Sequence, residues 1–153
     1  MYIVYLKSLK IEKKLRLKIL LIIIIIIEEE ILDLGHKKAI SEEVVRGPRL
    51  TASGREICGV GGLMDWNPDY RKIGMEGLVL LVNGPTEATG AVRKLVKDGV
   101  EWIKTYPTGD AASPDLNDHH TLCMTFEEMQ AVVTTAHNHN LKVTGHCRAT
   151  RGI

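Results

Sequence analysis

From residue 83 onwards, apolar and polar positions alternate in blocks that predict first a helix and then a strand. In the segment "NGPTEATGAVRKLVKDGV" the apolar residues recur at helical spacing. Asn83 is a candidate N-cap, Pro85 lies in the first turn, and Gly99 can close the helix. The segment "VEWIKT" (100–105) then has the pattern of a short strand. These residues therefore predict a helix–strand unit.

The following residues repeat this order after a long polar loop. Thr125 and Glu128 have the spacing of a capping box, and "NHN" (138–140) ends the helix that they begin. The segment "LKVTG" (141–145) is the next predicted strand, and "RLTASG" (49–54) predicts an earlier one. Strands that alternate with helices through right-handed crossovers predict an α/β fold with a parallel sheet.

Residues 1–31 form a basic, Ile-rich segment of low complexity, and residues 32–153 form the predicted domain. The apolar run 19–27 is much shorter than the roughly 20 residues that span a bilayer. We interpret it as a buried strand, because β-branched isoleucine favours strands. A membrane-directed segment or a secretion signal is the alternative.

Composition and charge narrow the function classes. With 153 residues and a net charge of +1, the chain is long enough for one domain and does not have the basic surface of a nucleic-acid-binding protein. Its three cysteines, Cys58, Cys123 and Cys147, form no C-x-x-C pair. This pattern predicts free thiols in a reducing compartment, and hence a cytoplasmic protein, with secretion through the N-terminal segment as the alternative.

Two residues carry the candidate chemistry. Function in folds built from β–α units lies at the carboxyl ends of the strands, and Lys104 and His146 stand at two consecutive strand ends. Each alone has a simpler explanation, as a solvated lysine or as a histidine bonded to backbone. Neighbouring strands lie about 4.8 Å apart, so the two together indicate one site. His119 and His120 in the polar loop, together with Arg148, are candidate substrate contacts.

Several segments, in the same order, resemble the metal-dependent amidohydrolases, in particular their prolidase-like and imidazolonepropionase-like branch. The segments are "LDLG" (32–35), "GPRLTASGREI" (47–57), "NGPTEATGAVRKLVKDGVEWIK" (83–104), "SPDLNDHHT" (113–121) and "AHNHNLKVTGH" (136–146). The resemblance implies a partial (β/α)8 TIM barrel that comprises strands two to five, with "LDLG" at the end of strand two. A full barrel takes roughly 250 residues, so the chain resembles about half of an enzyme.

The resemblance also implies one or two divalent metal ions, commonly zinc, at the top of the barrel. It implies that Lys104 is a carboxylated lysine that bridges the metals and that His146 is a metal ligand. A neutral lysine amine can take up carbon dioxide to become a carbamate, and neutral imidazole is a good zinc ligand. The chain departs from the family at several positions: for example, no H-x-H precedes "LDLG", Leu63 stands where many relatives have a histidine, and "CRATRG" follows His146 where relatives often have a small residue and then His-Gly. The family's general base has no counterpart in the chain.

We therefore expect a metal-dependent hydrolase that acts on C–N bonds of a small, dipeptide-like substrate, as a truncated chain with little activity alone. Exposed sheet edges would allow it to form oligomers. The alternative is a non-catalytic α/β module that is tethered to a membrane or a partner through its N-terminal segment. Metal binding distinguishes the two, because a non-catalytic module has no need of the Lys104–His146 pair.

Overall fold

The structure, a computed structural model, describes residues 32–65, 79–109, 118 and 120–153. The basic segment 1–31, with the strand predicted from its isoleucine run, lies outside the described residues. The elements run in the order α1 (Leu32–Ser41), β1 (Glu56–Gly59), β2 (Val79–Val82), α2 (Pro85–Asp98), β3 (Trp102–Tyr106), α3 (Phe126–Asn138), β4 (Lys142–Gly145) and a short 3-10 helix (Thr150–Gly152).

The four strands form one parallel sheet in the order β2-β1-β3-β4. In its register, Cys58 of β1 lies opposite Tyr106 of β3, and Lys104 of β3 lies opposite Thr144 of β4. β3 and β4 are adjacent and are joined through α3, which is the β–α–β unit of a barrel. The predicted α/β fold with a parallel sheet is confirmed.

Helices α2 and α3 pack against each other, and the main core lies between them and the sheet. Ile57 and Ile103 of the sheet are fully buried there against Val92, Val132 and Ala136 of the helices. Burial of each large aliphatic side chain contributes about 1.5–3 kcal/mol. Because side chains alternate along a strand, the residues next to Ile57 and Ile103 point to the opposite face of the sheet.

The ends of α2 and α3 follow local sequence signals. The predicted capping box is confirmed: Thr125 Oγ1 accepts from the Glu128 amide at 3.2 Å, and Glu128 Oε2 accepts from the Thr125 amide at 2.7 Å. Gly99 closes α2 in the left-handed conformation. The N-cap of α2 is Gly84 and not Asn83 as predicted, because φ is 104° there, which glycine adopts readily. None of the helices in the described part of the chain is long and apolar enough to cross a membrane.

Two predictions about the first elements are wrong. "LDLG" begins helix α1 and does not end a strand, and the strand predicted at 49–54 lies later, at β1. The cause is Asp33, a buried residue whose carboxylate accepts hydrogen bonds from the amides of Ser53 and Gly54, both at 2.9 Å. Those amides are therefore not available for a strand ladder, and the sheet begins only after Gly54, where φ is +61°.

Candidate functional site

The face of the sheet opposite the helices carries polar side chains. Ile103 points to the helices, so the next residue, Lys104, and then Tyr106 point to the other face. Both are buried, with 6% of Lys104 and 5% of Tyr106 exposed. A lysine is seldom this deeply buried, which distinguishes Lys104 from the solvated lysine that the sequence alone allowed.

The structure brings Lys104 and His146 to the same end and the same face of the sheet. The His146 amide donates to the Thr105 carbonyl at 2.9 Å, which continues the pairing of β4 with β3 by one residue. The imidazole lies beside the Tyr106 ring, with 5.6 Å between ring centroids. The Lys104 ammonium lies 5.0 Å from the centroid of the same ring. Tyr106 is thus the side chain that both predicted residues contact.

Glu56 at the start of β1 completes this cluster. It is 2% exposed, and its Oε2 accepts a hydrogen bond from the Tyr106 hydroxyl. Burial lowers the pKa of Lys104, while the negative charges of Glu56 and Cys147 act in the opposite direction. The Lys104 amine is therefore neutral at a lower pH than an exposed lysine, which favours reactions that need its lone pair.

Sequence reasoning missed Glu56 and Tyr106. Tyr106 carried a usable signal, since a residue two positions after Lys104 on a strand shares its face. Glu56 could not be found, because the strand had been assigned to 49–54 and its alignment with β3 depends on pairing between distant segments.

Of the three candidate substrate contacts, Arg148 lies next to His146, whereas His120 lies in an exposed loop. Arg148 Nε donates to His146 Nε2 at 3.0 Å, and the Arg148 amide donates to Thr108 Oγ1 at 2.8 Å. Because a guanidinium keeps its protons, this bond requires a neutral imidazole that carries its proton on Nδ1. His120 is exposed in the loop, where its amide donates to Asp118 Oδ1 at 2.8 Å. His119 lies outside the described residues.

Lys104 and His146 suit a divalent metal in residue type, and burial of Lys104 shifts its pKa towards the neutral amine. A neutral amine and a neutral imidazole are the forms that can form a carbamate and ligate zinc. Among the described residues, however, no group of three or more His, Cys, Asp or Glu side chains is arranged to hold a metal ion. The described residues thus do not supply a complete coordination sphere for a metal ion.

Next to this cluster, Cys58 should make the fold sensitive to alkaline pH. Burial raises the pKa of its thiol from 9.0 to about 12. Because the folded pKa exceeds the unfolded one, the stabilisation is complete below pH 9 and is lost as the pH rises towards 12. The loss is about 1.4 kcal/mol per pH unit. Urea unfolding of the wild type and of Cys58→Ala at several pH values should show a steeper alkaline decline for the wild type, whereas parallel declines would contradict the assignment.

The fold resembles that of several solved structures. A Xaa-Pro dipeptidase with methionine bound in its active site matches with a TM-score of 0.68 and 28% identity over 82% of this chain and 31% of that chain. A prolidase complexed with N-methylphosphonate-L-proline matches with a TM-score of 0.69 and 25% identity over 78% of this chain and 31% of that chain. An amidohydrolase matches with a TM-score of 0.68 and 25% identity over 81% of this chain and 32% of that chain.

These matches are structural, since no protein-family model and no curated protein sequence matches the chain significantly. The chain spans about a third of the length of the structures that it matches. A four-stranded parallel sheet, in which α2 connects β2 to β3 and α3 connects β3 to β4, over part of a longer barrel, accounts for both the TM-scores and the limited coverage. The chain therefore has the fold of the amidohydrolase superfamily, as a segment of a (β/α)8 barrel.

Proposed function

We propose that the chain is part of a metal-dependent hydrolase that cleaves C–N bonds in small, dipeptide-like substrates. The observation that carries this proposal is the placement of Lys104 and His146 against one ring, on one face of adjacent strands and towards their carboxyl ends. Active sites of (β/α)8 enzymes lie at this end of the barrel. The substrate class is extended from the Xaa-Pro dipeptidase and the prolidase that the chain resembles.

Lys104 and His146 would hold one or two divalent ions, most simply zinc. The lowered pKa of Lys104 favours the neutral amine, whose nitrogen can add to carbon dioxide and lose a proton to give a carbamate. The hydrogen bond that His146 Nε2 accepts from Arg148 favours the neutral imidazole, which is the form that ligates metals. When bound, the metal would supply a water of lowered pKa for attack on the amide carbonyl.

Tyr106 and Arg148 would position these two residues. The Tyr106 hydroxyl donates a hydrogen bond to the buried Glu56. This bond holds the ring in the position where it contacts Lys104 and His146. Arg148 holds His146 Nε2 through its Nε. If Nε2 turns to another partner, the guanidinium is released, and its paired donors suit the carboxylate of a dipeptide.

Dipeptide hydrolysis, measured with the protein in molar excess over the substrate, tests this function. With zinc and bicarbonate present, we expect the full chain to hydrolyse a methionyl-proline dipeptide slowly but measurably, because two of the donors are in place. His146→Ala should remove this activity, while His137→Ala, at the exposed end of α3, should retain it. Hydrolysis that is unaffected by His146→Ala, or no hydrolysis above the zinc-only rate, would contradict the proposal.

A further inference from the structure

A pair of buried thiols lies beside the cluster of Glu56, Lys104, Tyr106 and His146 and has no role in the proposed hydrolysis. Cys58 on β1 is fully buried, and Cys123, shortly before α3, is 8% exposed. A β-carbon built on Gly62 would lie 2.6 Å from Cys58 Sγ and 2.9 Å from the Cys123 β-carbon. These two cysteine atoms are therefore separated by no more than the sum of the two distances, and both occupy the space that the glycine leaves.

The two cysteines also belong to one buried cluster, which includes Leu63 and Tyr106. A negative charge on Cys123 raises the pKa of Cys58, as expected for near neighbours.

We propose that Cys58 and Cys123 form an intramolecular disulfide when a small-molecule disulfide such as oxidised glutathione is present. A disulfide requires β-carbons about 3.5–4.5 Å apart. The two backbones already meet, because Gly59 packs on the Cys123 carbonyl and the Cys123 amide donates to the Pro107 carbonyl at 2.9 Å. The backbone of Cys123 is thus held against the end of β1, next to Cys58.

Exposure decides which thiol reacts first. Cys123 lines an open groove with Val60, Met124 and Phe126, whereas Cys58 lies beneath it. The Cys123 thiolate attacks one sulfur of oxidised glutathione and releases the first glutathione thiolate. The Cys58 thiolate then attacks Cys123 Sγ in the mixed disulfide and releases the second. The two cysteines lose two electrons and two protons, and one oxidised glutathione becomes two reduced ones.

The apolar surroundings make this reaction slow and its product stable. Burial raises the pKa of both thiols, so little of the attacking thiolate is present near neutral pH. The disulfide is uncharged, so the same surroundings do not disfavour it. The rate should therefore rise by about tenfold for each pH unit between 7 and 9, in proportion to the thiolate fraction.

Peptide mapping of the full chain tests the pair. Cys147→Ser leaves only these two cysteines and removes an exchange partner that is not in the pair. In oxidised glutathione, followed by alkylation and mass spectrometry, we expect the protein to lose two hydrogens and to yield a peptide that joins Cys58 to Cys123. Adding Cys58→Ser should leave one glutathione adduct on Cys123.

The same mapping applied to the wild type, with Cys147 present, covers the case in which Cys147→Ser does not fold. Glutathione adducts without the joined peptide, disulfides between chains, or a joined peptide that forms only in urea would each overturn the proposal. A rate that does not change between pH 7 and 9 would overturn the thiolate sequence.

Discussion

Replacement of Gly59 by alanine should destabilise the folded chain by about 3 kcal/mol or more. A β-carbon at this position would lie 1.8 Å from the carbonyl oxygen of Cys123, which is a backbone atom. Cys123 cannot easily withdraw, because its amide is bonded to the Pro107 carbonyl. Gly59 cannot withdraw either, because it is paired with Val82 at the end of β1. The clash therefore has to break one of these contacts.

Gly90→Ala is the matched control. Gly90 lies within α2, and a β-carbon there would have no atom within 4 Å, so alanine should stabilise the helix by about 0.5–1 kcal/mol. In urea unfolding followed by circular dichroism, the midpoint urea concentration should be lower than that of the wild type for Gly59→Ala and higher for Gly90→Ala. If Gly59→Ala unfolds at the same urea concentration as the wild type, β1 does not approach Cys123 as closely as described.

Replacement of Glu128 by alanine should cost about 3 kcal/mol, because its carboxylate connects the starts of two helices. Oε1 accepts from the Gly84 amide before α2 at 2.6 Å, and Oε2 accepts from the Thr125 amide before α3 at 2.7 Å. Each hydrogen bond to a charged group contributes about 1.5–3 kcal/mol. The side chain is 6% exposed, so water cannot readily replace it.

Glu127→Ala controls for charge at the same helix end. Glu127 is exposed in the first turn of α3, and its loss should cost at most about 1 kcal/mol, through the helix dipole. Glu128→Gln should fall between the two alanine variants, since it keeps one acceptor oxygen. Thermal unfolding of the three variants measures the difference, and equal effects of Glu127→Ala and Glu128→Ala would contradict the bridging role.

How far the sequence predicts this fold depends on whether a signal is local. The ends of α2 and α3 were predictable because Gly99 and the Thr125–Glu128 pair act within a few residues. β1 was misplaced because Asp33, about twenty residues away, binds the amides of Ser53 and Gly54. No pattern inside the segment 49–54 reports that contact. β2 was missed altogether, although "VLLV" has the apolar composition of a short buried strand.

The residues of the candidate site also fall into two groups, those that local patterns predict and those that depend on pairing between distant segments. Lys104 and His146 were predictable, because strand ends can be located from local patterns and parallel strands end at one edge of the sheet. Tyr106 was not predicted, although alternation along β3 places it on the same face as Lys104. The link between Glu56 and the Tyr106 hydroxyl depends on the register of β1 against β3, which is set by packing across the sheet and not by either segment alone.

Zinc titration tests most directly whether Lys104 and His146 serve one metal. The heat of binding should be measured for the wild type, Lys104→Met, His146→Ala and the control His137→Ala, each shown to be folded by circular dichroism. We predict that the wild type and the control bind zinc with the same affinity. Both site variants should bind zinc at least about tenfold more weakly. Equal zinc affinity in all four proteins, or no zinc binding by the wild type, would contradict the account.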